Sequence, residues 1–237
     1  MIPAASPAPS PSPAPPGETE VLEALRPVLD PELDRSIVDL GFVRVVGVVG
    51  GEVRVQLRLP TYWCAPNFSW LMAADVRRAL LALPGVERAH VALLDHHAGQ
   101  TITEGVNAER SFGEAFGEPG DGGLDELRRS LRRKAFCARQ ERVLALLPRR
   151  GLAGLRLGDL PPAPETDAYL AIRAELGLPC SPDAPALTDA DGREVDDVDV
   201  HRRRSRITRI SLESNSVLCE AVLAAHPGVT DEREECR

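Results

Sequence analysis

One lysine, Lys134, stands among 28 basic residues, and aromatic residues make up only 4% of the 237-residue chain. The five cysteines, at positions 64, 137, 180, 219 and 236, form no C-x-x-C pair. No apolar run approaches the ~20 residues that a membrane span requires. Each shortage excludes something. An odd number of scattered cysteines is not a disulfide framework, so the thiols are expected to be reduced. With no spanning segment, and neither a basic start nor a continuous apolar stretch at the amino terminus, a cytoplasmic protein with no membrane partner is expected. A net charge of -8 argues against a nucleic-acid partner, because neutralising phosphates needs a basic face. The runs RRSLRRK (128–134) and HRRRSR (201–206) then read as solvated helix faces or partner contacts. No G-x-S-x-G, no H-E-x-x-H and no glycine loop leading to a lysine occurs, so the common hydrolase and phosphate-cradling signatures are missing.

What is present is organised in three parts. Residues 1–17, MIPAASPAPSPSPAPPG, bury too little surface to offset their ordering entropy and read as a disordered Pro/Ala/Ser tail. From Glu18 a helix is expected, with Thr19 as N-cap and Val21, Leu22, Leu25, Val28 and Leu29 on one stripe, ended early by Pro27. The runs 37–49 and 52–59 flank Gly50-Gly51 and predict a hairpin. In the second run Val53, Val55, Leu57 and Leu59 alternate with polar residues, so one face meets the core. Helical spacing from Phe68 to Leu83 stops at Pro84-Gly85, and VERAHVALLD (86–95) is a third strand. The fold class is α/β (α+β): a small three-stranded sheet with two covering helices, in the order helix, strand, strand, helix, strand, over residues 18–97. Residues 98–237 form a mostly helical and irregular extension. Within it 98–123 reads as loop, 124–147 as a long helix, 167–177 as a short one and 211–225 as the last. VDDVDVH (195–201) reads as a solvated acidic strand or loop, lacking the spacing of a calcium loop.

The stretch TYWCAPNFSW (61–70) sets a thiol at the seam between the second strand and the next helix. Pro66 suits the first helical turn. A cysteine just before it faces unpaired amides and the positive end of the helix dipole, which favour the thiolate, the form that binds soft metals or attacks electrophiles. Read without any relative, Cys64 is more simply a small buried hydrophobe. Asp95-His96-His97 adds imidazoles at the end of the third strand, although neighbours on a strand point to opposite faces and surface loop histidines are the plainer reading. Asp30, Glu32 and Asp39 cluster around a turn, where they either bond backbone amides or shape a docking surface.

DPEL followed by SIVDLGFV, a hairpin, a strand ending near one cysteine, a helix and then LPGVERAHVALL resembles the small iron-sulfur cluster assembly domain of the SufT and PaaD type. The resemblance covers 18–97 and sets Asp30, Glu32, Asp39 and Cys64 on characteristic positions, with Cys64 on the functional cysteine. It implies a factor that helps load metal clusters into client metalloenzymes, a metal-dependent oxygenase among the candidates, alongside other assembly proteins and without turnover of its own. Clusters usually take four ligands. One Cys64 therefore implies a transient iron-sulfur cluster or iron, held across a homodimer, with a partner protein or with a small thiol. His96 and His97 stand as auxiliary candidates. Two other readings remain: a thiol enzyme in which Cys64 attacks and His96 or His97 is the base, and an adaptor in which Cys64 is packed and inert.

Overall fold

A computed structural model describes residues 14–148 and 151–225; most of the 1–17 tail, His226 and Cys236 lie outside the described residues. The chain divides into two units, one made of residues up to Val28 together with Ser36–Ser111, the other of Leu29–Arg35 with the segment from Phe112 onward.

In the first unit, helix α1 (Glu18–Leu25) starts at Gly17 rather than Thr19, with Glu20 reaching back to the Gly17 amide at 2.7 Å. Val21 and Leu25 are its buried residues. The first strand is shorter than its apolar pattern predicts: Ile37–Leu40 turn, with the Leu40 amide bonded to the Ser36 carbonyl, and only Val43–Val49 extends as β1. Gly50 and Gly51, at φ +54° and +77°, make the primed turn that matches strand twist. Strand β2 (Glu52–Arg58) then buries Val53, Val55 and Leu57. Helix α2 (Pro66–Leu81) lays Trp70, Leu71, Met72, Ala73, Val76 and Leu80 into the core. Strand β3 (Arg88–Leu94) completes the sheet, with His90 exposed as its alternation predicts. β1 pairs antiparallel with β2, and β2 pairs parallel with β3.

Residues expected as loop instead form α3 (Gly99–Asn107) and α4 (Phe112–Phe116). The cause is tertiary. In α3, Ile102 and Val106, one turn apart, are buried, and Thr103 and Asn107, each next along from one of them, serve the open edge of β3. Asn107 accepts from the Val91 amide at 3.0 Å and donates to its carbonyl at 2.8 Å, while Thr103 accepts from the Leu93 amide at 3.0 Å. Side chains thus satisfy an edge that would otherwise attract another strand. Gly99 is required by this approach, since a Cβ there would lie 2.8 Å from the Leu93 carbonyl oxygen.

The second unit is built on α5 (Leu124–Ala145), α6 (Pro164–Glu175) and α7 (Val198–Ala225). Phe136, Val143, Leu157, Tyr169, Ile172 and Ala186 form its main cluster. Helix α7 begins thirteen residues before the expected start at Ser211. Asp197 accounts for this: its carboxylate accepts from the Val200 amide at 2.9 Å and its carbonyl from that of His201, an N-cap inside the segment read as strand or loop.

Candidate functional site

Parallel pairing of β2 with β3 in the register Arg58↔Leu94 brings the segments leaving both strands to one end of the sheet. Pro60 stops the first. Thr61–Cys64 then closes as a turn, the Cys64 amide donating to the Thr61 carbonyl at 3.3 Å, and Pro66 opens α2 as the sequence predicts. The second segment turns at Asp95, which adopts φ +49° and accepts from Arg58 Nε at 2.9 Å. The His97 amide donates to the Tyr62 carbonyl at 3.0 Å and pins the two segments together.

Cys64 lies at this junction, partly exposed, its Sγ 3.4 Å from the Thr61 hydroxyl. His96 does not behave as a surface loop histidine: it is 7% exposed and both ring nitrogens are engaged. Nδ1 accepts from the Ala98 amide at 3.1 Å, so the proton belongs on Nε2, which donates to the Cys64 carbonyl at 2.8 Å and lies 3.1 Å from Ser69 Oγ. The Ser69 hydroxyl in turn donates to the Ala65 carbonyl at 3.1 Å. Burial is the main force lowering the His96 pKa below its ordinary value; the Cys64 carbonyl opposes it and the neighbouring His97 adds to it. His96 is therefore a neutral strut that fixes the backbone of Cys64, and its ring is turned to that carbonyl.

His97 is exposed and stacks on His96 at 4.7 Å between ring centroids. Trp63 lies 5.4 Å from His97 and meets Tyr62 edge-on at 4.9 Å. Trp63 and Tyr62 are 75% and 52% exposed, so the thiol is bordered by an uncovered aromatic surface. Ser69 and Thr61 carry little signal in the sequence. A serine on an otherwise apolar helical face is the only trace that Ser69 leaves, and Thr61 leaves none beyond its closeness to Cys64.

Of the acidic candidates, Asp39 belongs to the first unit and Asp30 and Glu32 share one loop of the second. Asp39 is exposed and pairs with Arg26 at 2.7 Å. Asp30 is buried, its Oδ1 accepting from the Glu32 and Leu33 amides at 2.8 and 2.9 Å. Burial pushes its pKa up to about 6, against the pull of those two amides and with a small push from Glu32. Glu32 is exposed. The same loop presents Asp34 at φ +55°, its side chain 4% exposed and bound to Arg139 at 2.7 Å and Arg142 at 3.3 Å.

Among the described residues no three His, Cys, Asp or Glu side chains gather closely enough to hold a metal ion. No described helix is long and apolar enough to cross a membrane.

A single thiol on a pinned strand-to-helix turn, carried by a small mixed sheet with two covering helices, defines the class of protein. Residues 18–91 match the family described as iron-sulfur cluster assembly protein, and the chain belongs to it. A protein of Methanocaldococcus jannaschii named only as uncharacterized is 34% identical over 86 residues, which are 36% of this chain and 88% of that protein. The iron-sulfur cluster carrier protein of Synechocystis sp. is 42% identical over 71 residues, 30% of this chain. Against that carrier the match spans only 20% of its length, so the likeness concerns a fifth of it.

Proposed function

We propose that this protein is a cytoplasmic assembly and targeting factor, without turnover of its own, that passes an iron-sulfur cluster or iron to client metalloenzymes through Cys64. The observation that carries the proposal is the partly exposed thiol held on a fixed backbone by His96 and bordered by Trp63 and Tyr62. Family membership gives the cargo its class. The free cysteines at 64, 137, 180 and 219 fit a reducing compartment.

The chemistry is ligand exchange. The Cys64 thiol gives its proton to the departing donor thiolate as its sulfur bonds iron. The Cys64–iron bond breaks when a client thiol bonds the iron and its proton returns to Cys64. One thiolate is few for a cluster, so the remaining ligands come from the donor, the client, a second copy or a small thiol. A weakly held cargo is easily handed on. Trp63 and Tyr62 supply the exposed aromatic surface that suits a docking partner, because large rigid rings bury much area at little entropic cost. A PaaD-like role, with an oxygenase as client, is the narrower form of this reading.

Cys64→Ser tests it. Iron and sulfide content and the activity of candidate clients are measured after co-expression with wild type or variant. The expected result is client protein of normal abundance that lacks metal. Fully loaded clients with the serine variant refute the proposal and favour the adaptor reading. A trapped covalent substrate adduct on Cys64, with turnover, favours the thiol enzyme instead.

A further inference from the structure

Helix α7 carries two opposed stripes. Ser205, Leu212 and Ser216 are buried, and Arg209 on the same side reaches Glu141 of α5 at 2.6 Å. On the other side Ile207, Ile210, Val217 and Leu218 are 69%, 46%, 68% and 63% exposed, with Ser214 and Ala221 exposed between and beyond them. The spacing 207, 210, 214, 217, 221 is the alternating three-and-four step of a heptad seam. It runs for about 21 Å at 1.5 Å per residue. Isolated exposed aliphatics need no explanation, but an ordered row of them does.

Charge on the flank of this seam selects the occupant. Arg206, Glu213 and Glu220 follow one another at seven-residue intervals, basic at one end and acidic at the other. Two copies laid antiparallel match Ile207 with Val217 and Ile210 with Ser214, and set Arg206 of each against Glu220 of the other; Glu213 then meets Glu213, each already paired with Arg209 of its own helix at 2.7 Å. Laid parallel, they stack Arg203 on Arg203 within the seam and leave Arg206 opposite Ser211. Glu220 also accepts from Arg35 and Ser216 of its own unit through Oε1, which anchors its carboxylate on this flank.

We infer that α7 is a homodimerisation helix, pairing with α7 of a second copy of this chain in antiparallel fashion through Ile207, Ile210, Val217 and Leu218. This does not depend on what Cys64 does, since the readout is mass rather than metal. A dimer does put two Cys64 thiols in one particle.

The test uses the full chain under reducing conditions, so that no disulfide dimer contributes. Sedimentation and light scattering are followed from about 1 to about 200 µM, the range over which mass action moves a dimer equilibrium. Wild type is expected to approach twice the 25.6 kDa of one chain. Ile210→Asp and Val217→Asp are each expected to raise the dissociation constant at least about 30-fold. Because both positions are exposed, circular dichroism should be unchanged, and the milder Ile210→Ser serves if an aspartate variant does not fold. Arg206→Glu is expected to weaken the dimer, and Arg206→Glu with Glu220→Arg to restore it. A monomer throughout the range overturns the inference, as does a dimer indifferent to the seam variants. So does a monomer whose seam is shielded from solvent by its own terminal segment or by a different co-purifying protein. Failure of the double charge swap, with the seam variants dissociating as expected, overturns the antiparallel arrangement.

Discussion

Replacing Asp30 by asparagine separates the charge of this side chain from its hydrogen bonds. The asparagine carbonyl can accept from the Glu32 and Leu33 amides as Oδ1 does now, at 2.8 and 2.9 Å, but it does not titrate. In the folded protein burial lifts the Asp30 pKa to about 6, whereas in the unfolded chain it is near 3.9. The folded state therefore holds the proton more tightly. Stability from this group is fully present below pH ~3.9 and is lost as pH rises through about 6. A difference of about two units corresponds to about 3 kcal/mol at neutral pH. Asparagine escapes that loss, less about 1 kcal/mol for a buried amide NH2 in place of the second carboxylate oxygen.

Urea unfolding of wild type and Asp30→Asn at a series of pH values reads the effect directly, provided the slopes with denaturant agree. The variant should be no more stable than wild type near pH 4 and about 2 kcal/mol more stable near pH 7.5, with the change centred between. The other titrating groups cancel in the difference. A gap that stays constant across this range would show that burial does not hold the carboxyl proton, and the reasoning fails. If the variant is stabilised yet loads clients poorly, the costly negative charge is itself used, which is the pattern expected where activity opposes stability.

Two further perturbations probe the frame of the thiol. His96→Ala removes the strut between the Cys64 carbonyl and the Ala98 amide and should cost about 2–4 kcal/mol by urea unfolding. Because burial lowers the His96 pKa, its stabilising effect is present above the unfolded value near 6.5 and is lost as pH falls below it. Wild type should weaken below about pH 6.5 more steeply than the variant, and equal slopes refute the buried neutral imidazole. Gly99→Ala forces a methyl group to within 2.8 Å of the Leu93 carbonyl oxygen and should cost about 1–3 kcal/mol. Hydrogen exchange at the Val91 and Leu93 amides should rise with it; unchanged protection there would mean that α3 does not guard the β3 edge.

Much of the first unit can be read in advance because its signals are local. Alternation in 52–58, the glycine pair and the proline at the helix start each act over a few residues, and each appears as expected. The departures from local pattern have a common cause in long-range partners. GQTITEGVN has weak helix formers and reads as loop. It is helical because the edge of β3 needs the Asn107 and Thr103 side chains. The SIVDLGF stretch is apolar enough for a strand, yet a turn bonded from Leu40 to Ser36 breaks it. Asp197 was visible as an acidic residue, but its role as a cap depends on where the helix starts.

The thiol shows the same division. Its position on the strand-to-helix turn follows from Pro60 and Pro66, a few residues away. What holds that turn, His96, is 32 residues distant, and two adjacent histidines look alike in a sequence. The register Arg58↔Leu94 distinguishes them. Once the sheet ends are level, one ring is carried inward to the Cys64 carbonyl and the other stays outside beside Trp63. Substitutions at 96 should therefore act through stability and its pH dependence, and those at 97 through whatever docks beside Cys64.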